Sequence, residues 1–123
     1  MQRNPYQAYQ QQSVMTMTQG EMLLKLYDET IKQLSAAEIF MGEGSIEKTN
    51  QALQKAQKIV NHLRATLDFQ YEISNQLAAL YDYFVRQIVA ANIKKDVALI
   101  QEVLPMVTEL RDTFAQAAKQ SHV

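Results

Sequence analysis

The sequence predicts an all-α fold, an antiparallel up-down-up-down four-helix bundle preceded by a partly extended N-terminal segment. Three observations predict it. Chain punctuation is sparse, with only three glycines and two prolines in 123 residues. Apolar residues recur at three- and four-residue steps through four successive stretches, the mark of a helix with one buried face. The connections between those stretches are short, which forces neighbouring helices to run antiparallel.

The first helix is expected over residues 18–42. Thr18-Gln19-Gly20-Glu21 reads as a capping box, the threonine hydroxyl accepting from the Glu21 N–H while the glutamate reaches back to the N–H of Thr18. Leu23, Tyr27, Thr30, Leu34, Ala37 and Met41 then share one face. Gly42 and Gly44 end the helix, and Ser45 can cap the second, expected over 45–68. Its inward stripe is Ile46, Thr49, Leu53, Ala56, Val60, Leu63 and Leu67, opposite a wet face of Lys48, Lys55, Lys58 and His62.

A break is expected near LDFQYEIS, although no Gly or Pro marks it. The third helix, over 72–92, turns Ile73, Leu77, Leu80, Tyr81, Phe84, Ile88 and Ala91 inward. Asp96 caps the fourth, over 96–119, with Ile100, Leu104, Val107, Phe114 and Ala118 inward. Pro105 falls inside it, removing one backbone hydrogen bond and predicting a kink, yet the apolar period keeps its phase across the proline. At about 1.5 Å per residue such helices make a rod roughly 35 Å long.

Composition bounds the function. Net charge is −1 and the sequence pI is about 6.1, so there is no electrostatic case for nucleic acid or an anionic membrane as partner. Cysteine is absent, which excludes disulfides, thiol catalysis and thiolate metal sites. The N-terminus lacks a signal-peptide core and no run approaches the roughly 18 apolar residues of a membrane span. A soluble, cytosolic protein is the expectation.

Convergent titratable groups are few. The two histidines, His62 and His122, fall on a wet face and in the tail, neither with a glutamate three residues before it as a di-iron bundle requires. No glycine-rich phosphate loop occurs. NHLRATL sets His62 two residues before Arg64, the one pattern that admits a histidine phosphotransfer domain; a solvated surface histidine is by far the better account, since the second helix has no Gly nearby to give a phosphate donor access. Leu-Tyr-Asp occurs at 26–28 and 80–82, but adjacent helical residues point about 100° apart, so neither copy is a catalytic pair. Tyr27 and Tyr81 read instead as core-edge tyrosines whose hydroxyls reach polar partners.

The last two helices carry more apolar surface than one buried face needs. Tyr81, Val85 and Val89 form a row beside the stripe of the third helix, and Leu99, Val103, Met106 and Leu110 flank that of the fourth. Deeper burial is the plain account. The alternative is an apolar groove that takes an amphipathic partner, or a dimer that buries the same rows between two copies.

Three stretches, NPYQAYQQQSVMTMTQGEMLLKLYDETI, LDFQYEISNQLAALYDYFVRQIVAANIKKD and VTELRDTFAQA, resemble the flagellar export chaperone family FliS from Asn4 to about Ala117. The tyrosine-containing tail, the helix start before LYD, the LYDY motif and the AN-x-x-x-D connection come in that family's order and spacing. The resemblance implies a cytosolic chaperone, neither an enzyme nor cofactor-dependent. Such a protein binds the disordered C-terminal segment of flagellin, stops early polymerisation and presents the subunit to a component of the type III export gate. It also implies that residues 1–17 cover the groove, with Tyr6, Tyr9, Val14 and Met15 in the covering segment, over a bundle spanning 18–120. The partner-binding residues expected on the bundle are Tyr81, Val85, Val89, Leu99, Val103 and Leu110. Gln19 stands where family members often have proline and Phe114 where they often have tryptophan; both changes keep the local role.

Overall fold

In the computed structural model, which describes residues 19–120, four helices follow one another: α1 Gln19–Gly42, α2 Ile46–Ala65, α3 Ile73–Lys94 and α4 Val97–Gln120. Thr18 of the expected capping box, and Tyr6, Tyr9, Val14 and Met15 of the expected cover, lie outside the described residues.

Cross-helix pairs fix the arrangement. Asn92 donates to Asn50 at one end of the α2–α3 seam (2.7 Å) and Arg64 meets Asp82 at the other (3.1 Å), so those two helices run antiparallel. Tyr83 donates to Glu102 across α3 and α4. Asp28 accepts from Arg111 (2.8 Å) and Tyr27 stacks on Phe114, closing the ring between α4 and α1. Among the described residues the backbone of each helix comes close only to its two neighbours in this ring, while the diagonal pair α1 and α3 meet through the side chains of Tyr27 and Tyr81.

Each stripe supplies the core as its spacing dictates. Tyr27, Leu34 and Ala37 of α1 meet Leu53, Ala56 and Val60 of α2, with Phe84 and Ile88 of α3 and Ile100, Val103 and Val107 of α4. Thr30 and Thr49 are buried too, and satisfy their hydroxyls locally by donating to the carbonyls of Leu26 and Ser45 one turn back (2.8 and 2.7 Å).

The chain ends differ from expectation in ways helix geometry explains. Ile46 and Ile73, expected inside, are 68% and 51% exposed. Each is the first residue of its helix, where the Cβ points back toward the N-terminus and past the end of the bundle. Ser45 precedes α2 but makes no side-chain cap; its carbonyl accepts from the Thr49 N–H instead. Gly44 at φ 74° turns the chain between α1 and α2, and Lys95 at φ 50° does so between α3 and α4. Lys95 is held there by its ammonium, which donates to the carbonyl and side-chain oxygens of Asn92 (2.6 and 2.5 Å). Asp96 then caps α4, accepting from the Ala98 N–H at 3.0 Å. α4 runs without a break across Pro105. The proline is exposed, so the carbonyl of Gln101 that it leaves without a donor belongs to a turn that water reaches.

Candidate functional site

A concavity lies at the end of the bundle where α1 and α3 begin and α2 and α4 finish. The last turn of α2 ends at Thr66, whose N–H donates to the His62 carbonyl (3.1 Å). The connector that follows is organised by Asp68. Its carboxylate accepts from the Gln70 N–H (2.9 Å), and its carbonyl accepts from the Tyr71 N–H (3.2 Å) and the Ser74 hydroxyl (2.5 Å). That turn needs neither Gly nor Pro, because the aspartate side chain closes it. It carries Leu67 and Tyr71 over the end of the bundle.

The result is a hollow of about 630 Å³. Met22, Leu23 and Leu26 of α1, Leu63 and Leu67, Tyr71, Leu77 and Tyr81 of α3, and Phe114 of α4 line it. Gln19, His62, Thr66 and Asp68 add polar groups to the lining, beside the two tyrosines. Outside it the apolar surface continues: Met22 is 36%, Phe69 52% and Tyr71 65% exposed. This combination of an apolar hollow and adjoining exposed rings and methyl groups is what a partner-binding surface requires. A second hollow, about 920 Å³, follows Leu104, Pro105, Thr108 and Asp112 along α4.

Tyr81 and Tyr27 are each 1% exposed, and their hydroxyls are hydrogen-bonded to one another across the core. Burial raises the pKa of both phenols. At the bundle surface Tyr83 is held above its ordinary value first by donating to Glu102.

The sequence-predicted partner residues are not brought together on one groove. Val103 is fully buried beside Ile100 and Val107, and is corrected from surface to core. Leu104, expected inside, takes the half-buried flank in its place. Tyr81 is likewise core, reaching the site only as a wall of the hollow. Val85 and Val89 lie in register with Asp82 and Asn92, which contact α2; Leu99 and Leu110 lie in register with Glu102, which contacts α3. The two rows therefore flank different seams, one on each side of α3, and all four residues are half-buried. A helix with two neighbours in a four-membered ring needs an apolar arc wide enough for both, and that need accounts for much of the surplus. Sequence periodicity missed the hollow because Met22 and Tyr71 belong to a helix start and a connector, where no period operates, and Leu67, expected in the stripe of the second helix, falls in the connector past its end.

Catalytic alternatives gain nothing from this geometry. His62 is exposed at the rim, while Arg64, its supposed companion, is engaged by Asp82 and lies over the ring of Phe69 at 5.7 Å. Among the described residues no cluster of three His, Cys, Asp or Glu could hold a metal ion, and no helix is long and apolar enough to cross a membrane.

Known proteins resemble this chain over nearly its whole length. The family model described as "Flagellar protein FliS" matches residues 2–121. "Flagellar secretion chaperone FliS" of Bacillus subtilis (strain 168) is 43% identical, covering 94% of this chain and 86% of its own. The protein of the same description from Escherichia coli (strain K12) is 31% identical, covering 90% and 87%. In fold the chain is similar to a solved structure described as "Crystal structure of flagellar chaperone from bacteria", with a TM-score of 0.79 at 21% identity over 94% of this chain and 95% of that one. A family match from residue 2 to residue 121, with relatives of 43% and 31% identity behind it, means that this four-helix chain belongs to the FliS family of flagellar secretion chaperones.

Proposed function

We propose that this protein is a cytosolic export chaperone that binds the disordered C-terminal segment of flagellin, keeps it from polymerising and delivers it to the type III export gate. It acts by binding alone, without catalysis or a cofactor. The observation that carries the reading is the apolar hollow at the end of the bundle together with the exposed rings beside it. Its lining joins apolar side chains to polar ones, as a site for an amphipathic segment should. The half-buried rows at Val85 and Val89, and at Leu99 and Leu110, are the edges along which a longer partner continues.

Residues 1–17 act as a removable cover over the same apolar surface, with 18–120 as the binding bundle. Tyr6 and Tyr9 suit that role because a tyrosine buries a ring yet tolerates water at its hydroxyl. Titration calorimetry with a peptide from the flagellin C-terminus should show one-to-one binding with a negative heat-capacity change. An absence of heat together with an absence of co-elution with flagellin would reject the reading. Deleting residues 1–15 should leave affinity equal or higher, whereas a large loss would make the segment part of the binding site rather than its cover.

A further inference from the structure

The Tyr27–Tyr81 pair is unusual in an otherwise apolar interior, and its hydrogens do not balance. Two phenols carry two hydroxyl hydrogens, and a single bond between them uses one. Neither hydroxyl has another partner among the described residues, and burial keeps both groups protonated. Either oxygen of the pair can be the donor, and an oxygen acceptor in the hollow favours the arrangement in which the Tyr27 hydroxyl donates and the Tyr81 hydroxyl accepts. The unused hydrogen is then that of Tyr81. Tyr81 is also the member of the pair that lines the hollow; Tyr27 does not.

We infer that Tyr81 is the polar anchor of the hollow, donating its hydroxyl hydrogen to an oxygen acceptor on the peptide segment that fills it, with Tyr27 as the positioning residue that holds the hydroxyl in place. This rests on the reading of the hollow as a seat for the exported segment. A polypeptide fits better than a small molecule, because the exposed Phe69 and Tyr71 extend the apolar surface beyond the hollow itself. Before the partner arrives, a water molecule can take the donor. An occupant that displaces the water must replace its acceptor or lose that bond. Apolar lining therefore gives affinity, and the phenol selects segments that bring a carbonyl, amide or hydroxyl oxygen to one point.

Calorimetry with the full chain and the flagellin C-terminal peptide tests this, using Tyr27→Phe and the double variant Tyr27→Phe/Tyr81→Phe, each first checked for a cooperative thermal transition. Tyr27→Phe keeps the Tyr81 donor and should bind within about twofold of wild type. The double variant removes both hydroxyls together, so neither is left unpaired, and should bind about five- to tenfold more weakly. Equal binding by wild type and the double variant overturns the inference while leaving the chaperone reading standing. Tighter binding by the double variant also overturns it, assigning the donor to the chain's own N-terminal residues. So does a loss in Tyr27→Phe as large as in the double variant. A wild-type protein that binds no peptide overturns both readings together.

Discussion

Removing either hydroxyl of the Tyr27–Tyr81 pair should cost different amounts of stability, although the two residues are equally buried at 1% exposure. Tyr81→Phe leaves the Tyr27 hydroxyl with no partner and no access to the hollow, so the full desolvation penalty applies, about 2 kcal/mol. Tyr27→Phe leaves the Tyr81 hydroxyl beside the hollow, where water can reach it, and about 1 kcal/mol is expected. In both variants the rings remain, and the stacking of residue 27 on Phe114, at 5.7 Å, is kept. The double variant should fall within about 1 kcal/mol of wild type, because no unpaired group remains. Alkali supplies a second reading of the same pair. The unfolded tyrosine ionises near pH 10, whereas burial holds folded Tyr27 far above that value. The folded-state pKa is raised, so the stability this group contributes is fully present below about pH 10. It is lost as pH climbs toward the folded value, at about 1.4 kcal/mol per pH unit from Tyr27. Urea unfolding at pH 7 and across pH 9–11 measures both effects. A Tyr81→Phe cost no larger than that of Tyr27→Phe, or an alkaline slope in Tyr27→Phe as steep as in wild type, would refute the reasoning.

Four further outcomes are expected. Val103→Asp places a carboxylate in the core and should cost about 4 kcal/mol or more, abolishing the cooperative melting transition, while Val85→Asp on a half-buried edge should cost about 1–2 kcal/mol. Leu34→Ala, at a fully buried position, should cost about 2–5 kcal/mol in a denaturant titration. Gly44→Ala meets open space but adopts φ 74°, so about 1 kcal/mol of backbone cost alone should appear. Lys95→Gly should be more stable than Lys95→Ala by about 1 kcal/mol in the same assay, since both lose the ammonium bonds to Asn92 but only glycine accepts φ 50° without strain.

Legibility in the sequence followed periodicity. Tyr27, Thr30, Leu34 and Ala37 could be read as one buried face because a three- and four-residue rhythm leaves few alternatives, and the Asp96 cap could be read because an aspartate before an apolar period has a specific partner two residues on. The rhythm says less about where a stripe stops. It carried Ile46 and Ile73 inward, since spacing contains no information about whether a neighbouring helix extends that far. It also treated two flanks of apolar residues as one groove, since a single helix does not reveal that it has neighbours on both sides. The hollow was the least legible feature. Its walls come from all four helices and a connector, and the device that closes the connector, a carboxylate bonding its own backbone at Asp68, leaves no Gly or Pro to announce it. Tyr27 and Tyr81 could be singled out as tyrosines in search of polar partners; that each is the other's partner, 54 residues away, is a fact of packing.

Gln19, where α1 begins, lines the hollow. The residues that precede it in the chain are therefore joined to the mouth of the hollow, and a short covalent link gives an effective concentration on the order of millimolar. If those residues cover the site as proposed, they need little affinity of their own, and they would return as soon as a partner began to peel off. Release at an export gate would then proceed by exchange, one segment replacing another, and the apolar surface would never have to face water bare. The apparent affinity for a partner becomes a difference between two occupants of the same surface, which the length and composition of the tether can tune without any change to the bundle.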